Sequence, residues 1–137
     1  AASAGAPAGA RVGASVLARA ETARGLAAID EICAVDGVTG VYVGPADLAI
    51  SMGHGPADAW TQPEVRDAMV HVHRTATAAR IVSGVPANTG TLGKVAARMG
   101  FRMITLASES QALRRGAAAH LAEANGGHPD TEQARGY

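Results

Sequence analysis

Glu21 and Asp47 are the residues of this chain best placed to do chemistry. Each closes a short apolar run: Ser15 to Ala20 ends on Glu21, and Val41 to Val43 passes through Gly44-Pro45 to Asp47. They stand 26 positions apart, the length of one helix, one strand and their turns. Adjacent strands of a parallel α/β architecture would therefore carry both acids to one mouth, where such folds gather their chemistry. Oxygen ligands from two carboxylates, completed by waters and substrate oxygens, suit Mg2+ or Mn2+ better than zinc. The same residues have a plainer use, Glu21 capping the helix that follows and Asp47 capping the turn after Gly44-Pro45. Spacing alone leaves both uses open.

The elements that must position these acids are legible in the periodicity. The pattern predicts a strand Val16 to Ala20, then a helix Thr22 to Ala34 with Leu26, Ile29, Ile32 and Cys33 on one face, closed by Asp36-Gly37. A strand Gly40 to Val43 follows, then a helical turn Ala46 to Met52 and a polar loop His54 to Gln62. Pro63 opens a helix whose Val65, Met69, Val72 and Ala76 recur at helical spacing, with Glu64 and Asp67 near its positive end. Next come a strand Ile81 to Val85, a helix Thr91 to Met99 stopped by Gly100, and a strand Arg102 to Ala107. The last helix, Ser110 to Ala124, should turn Leu113, Ala117 and Leu121 inward and end at Gly126-Gly127.

Strand and helix thus alternate four times, which implies right-handed βαβ units and a parallel sheet. The fold class is α/β, with about four parallel βα units, half of an eight-fold barrel. A full (β/α)8 barrel takes roughly 250 residues. The domain reading is a flexible lead-in of residues 1–14, a partial barrel of residues 15–124 and a flexible tail of residues 125–137.

Composition narrows the function. Twelve basic and twelve acidic residues leave no net charge, so there is no electrostatic footprint for nucleic acid or an anionic membrane. With 3% aromatic residues there is no stacking platform for bases. No apolar run approaches the roughly 20 residues that span a bilayer, and no signal-peptide pattern opens the chain. The expectation is a soluble cytoplasmic protein. Cys33, the single cysteine, reads as a small core residue.

The segment Glu21 to Gly53, ETARGLAAIDEICAVDGVTGVYVGPADLAISMG, closely resembles the pyruvate-dependent class II aldolases of the HpcH/HpaI family, within the phosphoenolpyruvate/pyruvate barrel superfamily. The similarity continues through Gln62-Pro63-Glu64-Val65 and the last two strands, over residues 15 to 124. The resemblance implies the C-terminal half of a TIM (β/α)8 barrel, and the exposed sheet edge and open mouth of such a half favour self-association into a homo-oligomer. It implies retro-aldol cleavage of a 4-hydroxy-2-oxo acid to pyruvate and an aldehyde, with a divalent cation, Mg2+, Mn2+ or Co2+, chelating the pyruvate enolate. In the family's terms Glu21 and Asp47 match the metal-binding carboxylates. The backbone amides of Ala46 and Asp47 match those that hold the substrate carboxylate, Gly44 and Pro45 shape that substrate-binding loop, and Val85 and Pro86 form an apolar wall beside the pyruvate.

Elementary chemistry agrees with this. A dication offsets the charge of an enolate oxygen far better than hydrogen bonds alone. The other electron sink, a lysine Schiff base, has only Lys94 to draw on, and Lys94 lies mid-helix. Departures from the family pattern are equally specific. Arg19 stands where the family carries glutamine two residues before the metal glutamate, and Ala107-Ser108-Glu109-Ser110 replaces a small-residue run followed by aspartate. The family's histidine base and carboxylate-binding arginine come from early strands with no counterpart here, so no catalytic residue is assigned. His54 reads as a solvated loop residue, His71 and His73 as the surface of a helix, and His120 and His128 as unpartnered. Arg114-Arg115 reads as a helix surface. Two classes of function remain: a metal-dependent carbon–carbon lyase of which this chain is the metal-bearing half, or a non-catalytic remnant that folds and associates without turnover. Citrate lyase β-type and malyl-CoA-type lyases are the alternative within the enzyme class, and GPADL favours the aldolase.

Overall fold

The computed structural model describes residues 15–126. Short, mostly apolar runs form strands and the longer periodic segments form helices, in alternation: β1 (Leu17–Ala20), α1 (Ala23–Ala27), α2 (Ile29–Cys33), β2 (Gly40–Val43), α3 (Pro45–Ser51), a 3-10 turn (Pro56–Asp58), α4 (Pro63–Ala78), β3 (Val82–Pro86), α5 (Gly90–Met99), β4 (Met103–Thr105) and α6 (Glu109–Ala124). All four strands are parallel and lie side by side in chain order. That order is the one of consecutive barrel units, since a doubly wound sheet reverses its strand order at a switch point.

The register sorts the sheet into two faces. Ala18 pairs with Val41 and Ala20 with Val43, Val41 pairs with Ser83, and Val85 pairs with Ile104, so these residues share the face turned toward the helices. Against them pack Ile29 and Cys33 of α2, Met69, Val72 and Ala76 of α4, Ala96 of α5 and Phe101. Burying each large aliphatic side chain of this set contributes about 1.5–3 kcal/mol. The opposite face carries Arg19, Tyr42, Gly84 and Met103 in one row. Val82 and Met103 there are 45% and 43% exposed, as expected of the concave side of a half barrel.

Local chemistry explains most boundaries. Pro63 takes the first helical position of α4, and Val65, Ala68, Met69, Val72 and Ala76 form its buried stripe as predicted. Gly100 ends α5 in the left-handed region at φ 103°, where a side chain would also strike the His73 ring.

Four expectations need correction. The single helix predicted over Thr22 to Ala34 is two short ones, because at Ala28 (φ −100°, ψ 13°) the backbone leaves the helical region and its N–H is shared between the Arg24 and Leu26 carbonyls. Ile29 and Cys33 are buried as a result, whereas Ile32 and Leu26 are only half-buried. The loop His54 to Gln62 is not uniformly polar: Ala59 is buried and Trp60 packs on the core. His73 is not a surface residue. Its Nδ1 lies 2.8 Å from the Ser83 hydroxyl, and its ring meets Phe101 at 5.5 Å between centroids. Last, α6 buries none of its residues, and Leu113 and Leu121 are 75% and 64% exposed. Each helix of a parallel unit packs in the groove between its own strand and the next. Among the described residues no strand follows β4, so α6 has half a groove. Residues 1–14 and 127–137, expected as flexible ends, lie outside the described residues.

Candidate metal centre

The mouth is built by register. Ala20 and Val43 are paired at the ends of β1 and β2, which sets Glu21 and Gly44 side by side. The Gly44 N–H donates to the Ala20 carbonyl at 3.1 Å. Beyond Gly44 the chain turns at once into α3, with Pro45 in its first turn and Asp47 on the side favoured by the helix dipole. The far end of α3 returns to the same end of the sheet, where the Ala23 N–H donates to the Ser51 hydroxyl at 2.9 Å.

Both carboxylates converge on the empty side of Gly44. A Cβ placed there would lie 2.8 Å from Glu21 Oε1 and 3.2 Å from Asp47 Oδ2. The missing side chain is therefore what leaves room for two acids at one point. Glu21 is only 25% exposed and accepts an ion-paired hydrogen bond from Arg19 Nη2. Among the described residues Asp47 has neither a hydrogen-bond nor an ion-pair partner for its carboxylate. The capping use of Glu21 fails, because Thr22 is the residue whose hydroxyl accepts the Gly25 N–H at the start of α1.

The donor set tests which cation fits. No group of three or more His, Cys, Asp or Glu side chains converges among the described residues. That excludes a closed tetrahedral zinc site built from them. Two carboxylates with room for water are what Mg2+ or Mn2+ accept, since these ions keep several waters and bind through one or two carboxylates. The cradle at Gly44 fits such an ion. Next to the acids, the N–H groups of Ala46 and Asp47 belong to the first turn of α3, where no helical carbonyl can take them. A cavity of about 330 Å³ opens from Pro45 and Ala46 toward Pro86, Thr89 and Leu92, with Trp60 on its wall.

The remaining sequence-predicted positions divide. Pro86 lines the cavity, but Val85 is fully buried on the helix side of the sheet, so the expected apolar wall has only its proline. The alternation of a strand permits no other result, because neighbours face opposite ways. His54 is held by Glu64 at 3.0 Å, and His73 is engaged with Ser83. His71 is exposed on α4, His120 lies 3.8 Å from Glu123, and His128 lies outside the described residues. Lys94 is exposed in the middle of α5.

Sequence reasoning missed Tyr42. Its hydroxyl meets the Thr105 hydroxyl at 2.8 Å, two strands away, by passing over Gly84, where a Cβ would be 2.8 Å from the ring. A glycine in mid-strand is the signal that could have found this crossing.

The sequence profile of the HpcH/HpaI aldolase/citrate lyase family matches residues 6–115. The chain is 39% identical over 108 residues to a hydroxypyruvate/pyruvate aldolase of Rhizorhabdus wittichii, covering 79% of this chain and 43% of that protein. Its fold is similar to a solved HpcH/HpaI aldolase/citrate lyase family protein of Burkholderia cenocepacia, with TM-score 0.74 and 32% identity, covering 81% of this chain and 42% of the other. It is also similar to the citrate lyase beta subunit of M. tuberculosis solved with oxaloacetate and magnesium, with TM-score 0.59 and 25% identity, covering 73% of this chain and 50% of the other. The chain spans about two fifths of the length of the aldolases it matches.

Proposed function

The chain belongs to the HpcH/HpaI aldolase/citrate lyase family, and from that premise we propose that it carries the metal-binding half of a carbon–carbon lyase that cleaves a 4-hydroxy-2-oxo acid to pyruvate and an aldehyde. The observation that carries this reading is the convergence of Glu21 and Asp47 on the space beside Gly44. Those two side chains would hold Mg2+ or Mn2+, with Co2+ as a further candidate. When bound, the dication supplies positive charge against the enolate oxygen of pyruvate.

The chain's own groups do the rest of the positioning. The Ala46 and Asp47 amides point free hydrogens at the substrate carboxylate, which the positive end of α3 also favours. Gly44 keeps the loop thin enough for the acids, and Pro45 fixes the turn that aims Asp47. Pro86 and the cavity beside it hold the apolar part of the substrate. On this reading the general base comes from outside the described residues; within them His54 and His73 are already bonded to Glu64 and Ser83. The full enzyme is a homo-oligomer in the cytoplasm on this reading. Among the described residues no helix is long and apolar enough to cross a membrane.

Calorimetric titration of the chain and of Asp47→Ala with Mg2+ and Mn2+ tests the proposal. A signal in the wild-type chain that is lost in the variant is expected, and equal signals would sink the site. Turnover by this chain alone should not exceed the rate with metal and no protein, since its described residues contribute no free base. Pyruvate release well above that blank would refute this part.

A further inference from the structure

Arg19 is a charged group beside the two acids that the proposed chemistry leaves unused. It stands two residues before Glu21 at the end of β1, so both side chains leave the same face of the strand. Its guanidinium pairs with the Glu21 carboxylate, and the two side chains are 67% and 25% exposed. The residue beside it across the sheet, Tyr42, spends its hydroxyl on Thr105 and does not compete for the pair. Among the described residues Arg19 has no second acid to pair with, and Asp47 has no cation. One of the two converging carboxylates is thus occupied by an internal monocation while the other is open.

Charge counting gives this arrangement a consequence. Two carboxylates and one guanidinium leave the mouth with one net negative charge. A dication therefore competes with Arg19 for Glu21, and it enters a field weaker than two unopposed acids would make. Once the dication is in place the same mouth carries one net positive charge, and a freed, mostly exposed guanidinium stands at its edge. Guanidinium matches a carboxylate with two parallel hydrogen bonds.

The geometry points to Arg19 as a positioning residue that exchanges partners: it guards Glu21 in the metal-free chain and takes an anionic group of the ligand in the metal-loaded one. This rests on the two-carboxylate reading above. Arg19 should therefore weaken cation binding and strengthen anion binding, two effects of opposite sign from one side chain.

The test measures Mn2+ alone by electron paramagnetic resonance, and then oxalate, a planar dicarboxylate, by calorimetry at saturating Mn2+. Wild type, Arg19→Gln, Arg19→Lys and Asp47→Ala are compared, with circular dichroism to show that each folds. Arg19→Gln is expected to bind Mn2+ roughly tenfold more tightly and oxalate roughly tenfold more weakly, the scale of one partly exposed ion pair plus one like-charge repulsion. Arg19→Lys keeps the charge and should stay near wild type for Mn2+, while losing part of the oxalate affinity with the bidentate fork. Unchanged or weaker Mn2+ binding by Arg19→Gln overturns the inference, as does unchanged or tighter oxalate binding. If those results come while Asp47→Ala abolishes Mn2+ binding, the metal site stands and only the role of Arg19 falls. If Asp47→Ala binds like wild type, or no variant binds Mn2+, both fall together.

Discussion

Replacing Gly44 by alanine puts one methyl group into the space the two acids share. The added Cβ would lie 2.8 Å from Glu21 Oε1, so that oxygen must retreat by about 0.6 Å to reach the 3.4 Å of ordinary contact. The Glu21 Cγ, at 2.9 Å, must retreat by about 0.5 Å as well, so the side chain moves as a whole. Asp47 Oδ2, at 3.2 Å, yields a few tenths of an ångström. The backbone itself is not strained, since Gly44 sits at φ −100° and ψ 93°, extended values that alanine adopts freely. Alanine also restricts the unfolded chain, a gain of about 0.4–1 kcal/mol that opposes the cost of moving Glu21. Folding stability should therefore change by less than about 1 kcal/mol. The metal site should suffer far more, because an octahedral ion with oxygen ligands near 2.1 Å does not follow a carboxylate displaced by half an ångström. Loss of roughly 10- to 100-fold in Mn2+ affinity is expected, the scale of changes that misplace a ligand without removing it. Calorimetric titration paired with urea denaturation reads both quantities on one sample. Wild-type Mn2+ affinity in a folded Gly44→Ala chain would refute the claim that the two acids are held around that point.

Other outcomes follow from the packing. Ser83→Ala leaves the part-buried His73 Nδ1 without its 2.8 Å partner, which should cost about 1 kcal/mol in urea denaturation; a cycle with His73→Ala that showed no coupling would dispose of this bond. Ile29→Ala, in the fully buried core, should cost 2–5 kcal/mol, while Leu121→Ser, 64% exposed on α6, should change stability by less than about 0.5 kcal/mol. A large loss from Leu121→Ser at dilute concentration would mean that α6 is packed after all. Burial, and after it the Asp30 carboxylate, push the Cys33 thiol above its ordinary pKa. The folded form thus holds its proton longer than the unfolded one, so this stability is complete below the ordinary thiol range and lost as pH rises through the raised value. Cys33→Ala should lose less stability than wild type over that alkaline interval, and parallel curves would contradict the assignment.

Which parts of this were legible in the sequence depended on how local their physics is. Pro63 and the Val65, Met69, Val72 spacing determine α4 because both the start and the buried stripe are properties of one segment. The same holds for β2 and the Gly44-Pro45 entry into α3. The break at Ala28 was not legible, since alanine is the best helix former and only the fit of Ile29 and Cys33 to the core turns the chain there. Leu113 and Leu121 carry an inward-facing period, yet a period says only that a face is available, and the half groove beside β4 leaves it uncovered. His73 was misplaced for the converse reason, because its partner Ser83 lies on a different element.

The sequence by itself determined the alternation of four strands with helices, the carriage of Glu21 and Asp47 to one end of the sheet, and the likeness to the HpcH/HpaI aldolase/citrate lyase family. Tertiary structure decided how those acids stand to each other. Register brings Ala20 beside Val43, and the bare side of Gly44 then admits both carboxylates at a single point. Tertiary structure also showed that Arg19 already occupies one of them, that Val85 faces the core while Pro86 faces the cavity, and that Tyr42 reaches Thr105 over Gly84. The reason is common to all of these. Periodicity and turn chemistry act along the chain over a few residues, whereas a site is a set of distances between segments, fixed only when strands pair in one register and side chains compete for the same space.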